Sequence, residues 1–410
     1  MELKGIIVQK YGGSSVATFE RMKKIAAHVT ETAKSKKVAV VISAMGDETN
    51  RLKQLAKEAS EGTPPEAELD KLLATGEGQS AALLVMAINT LGQKAVSLTG
   101  FQIRLETDPT YGKAKVKGIR NIDRIKELLD RDTIVVVAGF QGVIEGTDEI
   151  VTLGSGGSNL TAIALAAALK TDCENYTDVD GVYAIDPRIV PQAKRFSNIT
   201  YPQMLELSVS GAAVLMDRAV MLAQNLGVKI KVLLSPSFGQ STGGTLISSG
   251  STTQNMEGSI QSQPAIAIQK GLSLVKIANI PNQPGVASKF FRELSSINII
   301  DSVVTQSEEE KTGNLSLLCS AGDLPEVSAS LQKIKEVKIA GKFEAVGLTL
   351  VDFSMKEEPG YLYRVCKALA EAGINIEMLS SAAISILVVV KKEKLEKATI
   401  ALGKEFELLD

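Results

Sequence analysis

Leu153 to Asn159 reads LGSGGSN and leads directly into the alanine-rich run LTAIALAAALK. The glycines leave several backbone N–H groups unobstructed at the start of a predicted helix, and the helix dipole adds positive character there. Such a helix start is suited to binding phosphate. Taken alone the pattern is weak evidence, because a glycine-rich turn between a strand and a helix is as often only a tight connection.

A second stretch of the same kind lies at the start of the chain. The apolar residues Ile6, Ile7 and Val8 lead to Lys10 and then to YGGSS, and another helix-like segment begins near Thr18. A strand, a glycine turn, a lysine and two hydroxyls predict a second anion site, here with a full charge. Neither stretch matches the P-loop or the dinucleotide fingerprint. Together they predict a site that holds a polyphosphate from two sides.

The pattern of the first 247 residues predicts the fold class. Short β-branched runs, apolar throughout, alternate with helical segments, which is typical of a mostly parallel sheet covered on both faces. We therefore expect an α/β/α sandwich with ligands beyond the carboxyl ends of its strands. The predicted strands are VAVVISAM (38–45), AVSLTG (95–100), TIVVVAGF (133–140), NYTD (175–178) and VKIKVLL (228–234).

The rest of the chain repeats itself. Two segments each place Pro-Gly at a helix start and Ile-Asn-Ile just past the helix end, which indicates a duplicated β-α-β-β unit. A stretch rich in Ser, Thr, Gly and Gln precedes them and predicts a linker. The predicted domains are an α/β domain over 1–247, a linker over 248–263, and two small α+β domains over 264–340 and 341–410.

Composition excludes several classes of protein. The 410 residues carry a formal charge of −2, so no basic surplus favours nucleic acid. Charged residues interrupt every apolar run before the ~20 residues of a membrane helix, and we recognise no signal peptide. We expect a cytoplasmic protein without membrane segments. The three cysteines, Cys173, Cys319 and Cys366, are expected to be core residues in a reducing compartment.

The single histidine, His28, lies in a helix-like run where we expect it to be partly exposed. Histidine-based triads and zinc sites are thereby disfavoured. Catalysis must then use lysine, arginine, carboxylates, hydroxyls and backbone dipoles, which are the groups that phosphoryl transfer employs.

Taken together, the motifs resemble those of the aspartate kinases, members of the amino-acid kinase family that carry two ACT regulatory domains at the C-terminus. The resemblance covers essentially the whole chain. The motifs that carry it are KYGGSSVAT (10–18), SAMGDETNRL (43–52), TGEGQS (75–80), AGFQG (138–142), LGSGGSN (153–159), YTDVDGVYAIDPRIV (176–190), PNQPG (281–285) and AGINIEM (372–378).

The resemblance implies ATP-dependent phosphorylation of the side-chain carboxylate of L-aspartate to 4-phospho-L-aspartate, the first step toward lysine, threonine, methionine and diaminopimelate. It assigns Lys10 as the catalytic lysine, with Mg²⁺ held through ATP and no protein ligand assigned to the metal. Taken alone, Glu77 would be interpreted as a solvated carboxylate at a helix start, and Asp178 and Asp180 as turn-forming residues. The matched nucleotide-binding residues are Gly12, Gly13, Ser14, Thr177, Asp178, Tyr183 and Arg188, and the matched substrate-binding residues are Thr49, Glu77, Phe140 and Ser158.

The ACT repeat implies amino-acid sensing. In this family, ACT units of two subunits pair, so a homodimer or larger assembly is expected, with lysine or threonine as the effector. A dimerisation platform without an effector is the alternative. The matched effector-binding residues are Asn298, Asp301, Gln306, Asn375 and Ser380.

The chain departs from the family pattern at four positions. Where the family usually reads GRGGSD, Ser155 and Asn159 replace the arginine and the aspartate; Ala213 and Leu233 replace a further lysine and arginine. Three interpretations stay open: an aspartate kinase in which neighbouring cations supply the charge, a non-catalytic sensor of amino acids or nucleotides, and a kinase for a different small carboxylate. The neighbouring cations are Lys113, Lys115, Arg218 and Lys231.

Overall fold

The computed structural model describes residues 5–212, 214–250, 263–307, 311–334 and 338–410. Ala213 and most of the predicted linker lie outside the described residues. The chain divides into two compact units. The first comprises Met1–Val182, Arg195–Ser208 and Ala213–Gln254, and the second comprises Tyr183–Lys194, Val209–Ala212 and Asn255–Asp410.

The first unit is built on an eight-stranded sheet with the order β10-β12-β11-β9-β1-β2-β6-β3. The strands from β11 to β3 in this order are all parallel, while β12 runs antiparallel to β11. The central strands are buried along nearly their whole length, as the uniformly apolar runs predict. The eight strands of the sheet are β1 (Ile6–Tyr11), β2 (Lys37–Ile42), β3 (Ala95–Leu98), β6 (Ile134–Ala138), β9 (Cys173–Thr177), β10 (Asn198–Thr200), β11 (Ile230–Leu234) and β12 (Thr245–Ser248).

Helices and a small second sheet complete this part of the chain. The second sheet has the order β5-β4-β7-β8 and was not predicted, because its strands are only three or four residues long. Its strands are β4 (Leu105–Thr107), β5 (Val116–Ile119), β7 (Gln141–Ile144) and β8 (Ile150–Thr152). The helices are α1 (Phe19–Thr32), α2 (Glu48–Ala59), α3 (Glu66–Thr90), α4 (Gly100–Ile103), α5 (Ile122–Asp130), α6 (Gly157–Leu169), α7 (Tyr201–Val209) and α8 (Asp217–Leu226).

The helix α6 is the predicted phosphate-binding helix and lies in the core of the first unit. Its N-cap, Gly156, has a φ of 68°, and a Cβ there would lie 2.7 Å from the sulfur of Met216, so only glycine fits without rearrangement. The helix is alanine-rich and mostly buried, and each fully buried leucine in it contributes roughly 1.5–3 kcal/mol to stability. The start of α6 is therefore fixed in place.

The second unit contains a six-stranded antiparallel sheet with the order β14-β15-β13-β16-β18-β17. The element order strand-helix-strand-strand-helix occurs twice, as the duplication predicts, and Gly285 and Gly360 cap the two equivalent helices with φ of 88° and 98°. The strands are β13 (Ala265–Pro281), β14 (Ile299–Ser307), β15 (Thr312–Ser320), β16 (Lys338–Val351), β17 (Met378–Ser381) and β18 (Ser385–Lys391). The helices are α9 (Val286–Glu293), α10 (Leu324–Gln332), α11 (Tyr361–Glu371) and α12 (Leu395–Glu405).

The segment Tyr183–Lys194 belongs to the second unit although it follows strands of the first. The N–H of Lys194 donates to the carbonyl of Leu408 (2.9 Å), and the N–H of Asp410 donates to the carbonyl of Gln192 (2.7 Å). The N–H of Ile266, at the start of β13, donates to the carbonyl of Ala184 (2.7 Å). Backbone hydrogen bonds from two distant parts of the chain thus hold this segment.

The cysteine prediction is partly wrong. Cys173 and Cys319 are buried, but Cys366 is exposed because it lies on the outer face of α11. His28 is half-buried on α1, as predicted, and its Nε2 lies 3.0 Å from the hydroxyl of Tyr176. Within the described parts of the chain, we find no helix whose length and apolar content would let it cross a membrane.

Candidate active site

A cavity of about 600 Å³ lies in the first unit, where the end of β1, the start of α6 and the middle of α3 meet. It brings together the predicted catalytic lysine and all four predicted substrate residues, which are Lys10, Thr49, Glu77, Phe140 and Ser158. Ser155 and Asn159, two of the positions that depart from the family pattern, also line it.

Lys10 is the only full positive charge that β1 brings to the cavity. Its side chain is 8% exposed, and burial lowers its pKa from 10.5 to about 8, although the nearby Asp178 carboxylate favours the charged form. A Cβ on Gly12 would lie 3.3 Å from the ammonium nitrogen, so the ammonium lies over the glycine turn. A Cβ on Gly13 would lie 2.8 Å from the carbonyl oxygen of Ala44, which explains the second glycine. The Lys10 ammonium is therefore placed to bind an anion at the Gly12–Gly13 turn.

The start of α6 forms the opposite wall. A Cβ on Gly157 would lie 3.0 Å from the ring of Phe140, and the hydroxyl of Ser158 lies against Gly139. Phe140 itself has a φ of 70°, held by hydrogen bonds from its N–H to Thr161 (3.2 Å) and from the N–H of Leu153 to its carbonyl (2.8 Å). The amide oxygen of Asn159 is buried without a hydrogen-bond partner among the described residues. Such an unpaired acceptor is expected to bind a donor from a ligand or from water.

Glu77 supplies a buried carboxylate to the site. It lies in the middle of α3 and is 3% exposed, so the alternative interpretation as a solvated residue at a helix start is wrong. Its Oε1 accepts a hydrogen bond from the N–H of Ala44 (3.1 Å), while Oε2 is buried without a partner among the described residues. Burial raises the pKa of Glu77 from 4.5 to about 7. A buried carboxylate with one free oxygen is suited to binding an ammonium group.

The predicted nucleotide residues are divided between the two units. Gly12, Gly13 and Ser14 follow β1. Thr177 is the last residue of the adjacent strand β9 and Asp178 follows it, with the Thr177 hydroxyl donating to the Asp178 carboxylate (3.1 Å). Tyr183 and Arg188 belong to the second unit. There Arg188 donates two hydrogen bonds to Asp186, at 2.9 and 3.0 Å. Asp180 accepts hydrogen bonds from Arg195 and Thr242, which lie 15 and 62 positions further along the chain, so these contacts are not those of a local turn.

Sequence analysis missed Asp70, which lies on α3 and is 1% exposed. Its carboxylate accepts hydrogen bonds from the N–H of Gly112 (2.9 Å), the N–H of Thr152 (2.8 Å) and the Thr152 hydroxyl (2.8 Å). These contacts join α3 to the loop between β4 and β5 and to the end of β8 in the small sheet. No local sequence pattern distinguishes Asp70 from an ordinary exposed helix residue.

The four neighbouring cations are placed differently. Lys113 lines the cavity. Arg218 donates instead to the carbonyls of Leu153 (2.8 Å) and Ala114 (2.7 Å), so it supports the loops and its charge is already in use. Lys115 and Lys231 do not line the cavity. Lys53, which sequence analysis did not single out, also lines it.

A second cavity of about 360 Å³ lies in the second unit, beside the PNQPG turn and the start of α9. Of the five predicted effector residues, Gln306 lines it. Asn298 and Asn375 are exposed elsewhere on the sheet ends, and Asp301 and Ser380 are partly buried on β14 and β17.

Comparison with known proteins identifies the family. A model of the amino acid kinase family matches residues 5–234, and an ACT domain model matches residues 348–406. The aspartokinase of Mycolicibacterium smegmatis is 40% identical over 413 residues, which cover 98% of this chain and 96% of the relative. The chain belongs to the aspartokinase family.

Solved structures of aspartokinases agree with the fold. The aspartate kinase of Synechocystis is 33% identical, with a TM-score of 0.54 that covers 99% of this chain and 70% of that one. Escherichia coli aspartokinase III, solved with aspartate and ADP, is 23% identical, with a TM-score of 0.72 that covers 98% of this chain and 99% of that one. At that identity the likeness shows the fold alone. The predicted family and the α/β fold followed by ACT domains are confirmed.

Within the aspartokinase family, this chain is distinguished by what surrounds the departures. Ser155 is exposed at the cavity wall, whereas Asn159, which also lines the cavity, has a buried amide oxygen without a partner among the described residues. Leu233 is buried in the core beside β1 rather than in the cavity. Ser155, Asn159 and Leu233 therefore place no ionised side chain at these three positions.

Proposed function

We propose that this aspartokinase transfers the γ-phosphoryl group of ATP to the side-chain carboxylate of L-aspartate, giving 4-phospho-L-aspartate and ADP. The observation that carries the proposal is one cavity that holds a buried lysine, a buried carboxylate with a free oxygen, and a glycine-flanked helix start. A substrate with an ammonium group, a nucleophilic carboxylate and an adjacent phosphate chain matches these three features in charge.

In this proposal each residue has one task. Glu77 binds the substrate ammonium, Thr49 and Ser158 donate hydroxyl hydrogen bonds to the substrate, and Phe140 closes the wall beside them. Lys10 binds the phosphoryl oxygens and stabilises their charge as the reaction proceeds. The aspartate carboxylate oxygen forms the new bond to phosphorus while the bond to the ADP oxygen breaks, and ADP leaves with the electron pair. No base is needed, since the carboxylate carries no proton.

We also retain the nucleotide assignments in this proposal. Gly12, Gly13 and Ser14 bind phosphate oxygens through backbone N–H groups and a hydroxyl, and Thr177, Asp178, Tyr183 and Arg188 are kept as nucleotide residues. Mg²⁺ bound to ATP would reduce the charge of the phosphates, and the neighbouring Asp178 carboxylate is compatible with a cation there. The proposed compartment is the cytoplasm, where three unpaired cysteines stay reduced.

We also propose regulation by an amino acid, lysine or threonine, through the ACT repeat, and a homodimer formed by ACT units. The 360 Å³ cavity beside the PNQPG turn, with Gln306 in its wall, supports a ligand of amino-acid size. Titration of lysine and threonine into the kinase assay tests the effector, and light scattering tests the dimer.

The kinase proposal is tested by ADP release with Mg-ATP, with and without L-aspartate, while the acyl phosphate is trapped as its hydroxamate. We expect aspartate-dependent hydroxamate, which Lys10→Ala abolishes and Lys36→Ala, at an exposed lysine before β2, leaves unchanged. Full turnover by Lys10→Ala would refute the role of Lys10. Binding of aspartate without hydroxamate would instead favour the sensor interpretation, and hydroxamate only with another acid would favour a different acceptor.

A further inference from the structure

The charges of the proposed substrate exceed the partners assigned so far. L-Aspartate carries one ammonium and two carboxylates at neutral pH. Glu77 accounts for the ammonium, and Lys10 and the start of α6 account for the reacting carboxylate and the phosphates. The second carboxylate, on the α-carbon, needs a cationic or strongly donating partner of its own.

Three described lysines line the cavity, namely Lys10, Lys53 and Lys113. Lys10 is buried over the glycine turn, and so belongs with the phosphates. Lys53 and Lys113 are both exposed at the cavity wall. Neither has a hydrogen-bond or ion-pair partner among the described residues, so both ammonium groups are available to a ligand.

The backbone around Lys113 is held from both sides. The N–H of Gly112, the residue before it, donates to the buried carboxylate of Asp70 (2.9 Å). The N–H of Ala114, the residue after it, donates to the carbonyl of Thr152 (3.0 Å), and Ala114 is fully buried. The Lys113 side chain therefore starts from a fixed point, which reduces the entropy lost when it binds a ligand.

Lys113 also lies directly against the glycine loop that starts α6. A Cβ on Gly154 would lie 3.7 Å from the Cα of Lys113 and 2.9 Å from the carbonyl oxygen of Gly112. Arg218 links the two segments, since it donates hydrogen bonds to the carbonyls of Leu153, before Gly154, and of Ala114, after Lys113. Lys53, by contrast, lies on the exposed side of α2.

We propose that Lys113 binds the α-carboxylate of L-aspartate and so determines the acceptor that the site selects. The proposal rests on the proposed function, and assigns to Lys113 a contact with the substrate rather than a part in the phosphoryl transfer itself. Asp70 is a positioning residue, because it holds the backbone of the Lys113 loop.

The test compares Lys113→Ala, Lys113→Arg and the matched control Lys53→Ala, with L-aspartate and with L-aspartic acid α-amide as acceptors. A charge-assisted contact of ordinary strength predicts that Lys113→Ala raises the KM for aspartate by about 10- to 100-fold. We expect kcat and the KM for ATP to stay within about threefold, since the contact is the same in the ground and transition states. Lys113→Arg should recover part of the loss.

The α-amide supplies the sharper readout. Wild type should use it poorly, because the cation faces a neutral group, and Lys113→Ala should use aspartate and the α-amide almost equally well. An unchanged KM and an unchanged preference in Lys113→Ala, with wild type active, would overturn the role of Lys113 alone. The same loss in Lys53→Ala in place of Lys113→Ala would assign the contact to Lys53 and overturn the proposal.

The hydroxamate assay of the wild-type protein distinguishes a failure of the kinase proposal from a failure of the Lys113 proposal. If wild type gives no hydroxamate, calorimetric titration with L-aspartate replaces the assay for the same variants. Binding that Lys113→Ala weakens supports the contact without turnover. Binding that Lys113→Ala leaves intact, or no binding of aspartate by wild type, refutes it.

Discussion

Replacing Glu77 by glutamine should stabilise the free protein while it weakens substrate binding. The carboxylate is 3% exposed, and one of its oxygens has no partner among the described residues, so its charge is unfavourable until a cation binds. Glutamine keeps the shape and keeps an oxygen that accepts from the N–H of Ala44, but carries no charge. The same change removes the partner of the substrate ammonium.

The magnitude follows from the pKa of Glu77. A pKa raised from 4.5 to about 7 corresponds to roughly 3 kcal/mol against the charged form in the folded state. Because the folded pKa lies above the unfolded one, this penalty is absent below about pH 4.5 and complete above about pH 7. Glu77→Gln should therefore gain up to roughly 3 kcal/mol at pH 8 and less than roughly 1 kcal/mol at pH 5.

Urea unfolding of wild type and Glu77→Gln at pH 5 and pH 8 measures this difference. Burying the glutamine amide changes the free energy of unfolding by the same amount at both pH values, so this contribution cancels when the two pH values are compared. The change between pH 5 and pH 8 in the stability difference between variant and wild type therefore tests the argument. Glu66→Gln, an exposed glutamate in the first turn of the same helix, is the matched control. A stability difference for Glu77→Gln that is equal at both pH values, or larger at pH 5, would refute the argument.

Three further results are expected. The kcat/KM for ATP should fall about tenfold per pH unit above pH 8, as Lys10 loses its proton, and a flat profile to pH 9.5 would contradict this. Gly13→Ala should raise the KM for ATP at least about tenfold, because a Cβ would lie 2.8 Å from the Ala44 carbonyl oxygen and push the turn away; an unaltered KM would be inconsistent with a close turn. Burial lowers the pKa of His28 below its ordinary 6.5, so the free energy of unfolding should fall as pH drops below about 6.5. The fall should be shallower in His28→Gln, which keeps a hydrogen-bonding group near Tyr176. Equal slopes of unfolding free energy against pH for the two proteins, measured with urea, would contradict this prediction.

The parts of the site that depend on local pattern were predictable from sequence. The apolar runs predicted the strands, and the glycines before a helix-like run predicted the start of α6. Lys10 and Glu77 were found through motifs, although the burial of Glu77 was not. Periodicity places a residue on its own element only, so it carries no information on which distant loop that residue meets.

Asp70 and Lys113 show what sequence could not provide. The contacts of Asp70 join residues that are 42 and 82 positions apart, and they run through a small sheet too short to recognise by pattern. Lys113 was one of four candidate cations, and only the geometry separates it from Arg218, whose charge is used on carbonyl oxygens. Two residues of equal charge in the sequence are thus proposed to have different roles because their tertiary contacts differ.

The hydrogen bonds of Tyr183–Lys194 also constrain the order of events during synthesis. The Lys194 ammonium donates to the carbonyl of Glu407, 213 positions later, so this segment leaves the ribosome long before its partners exist. At about 5–20 residues per second, the wait is of the order of ten to forty seconds. A chain that ends before Glu407 would lack the backbone groups that Glu407, Leu408 and Asp410 supply to this segment. Expression of such shortened chains is therefore expected to leave Tyr183–Lys194 exposed to proteases, whereas a chain that contains these residues protects it.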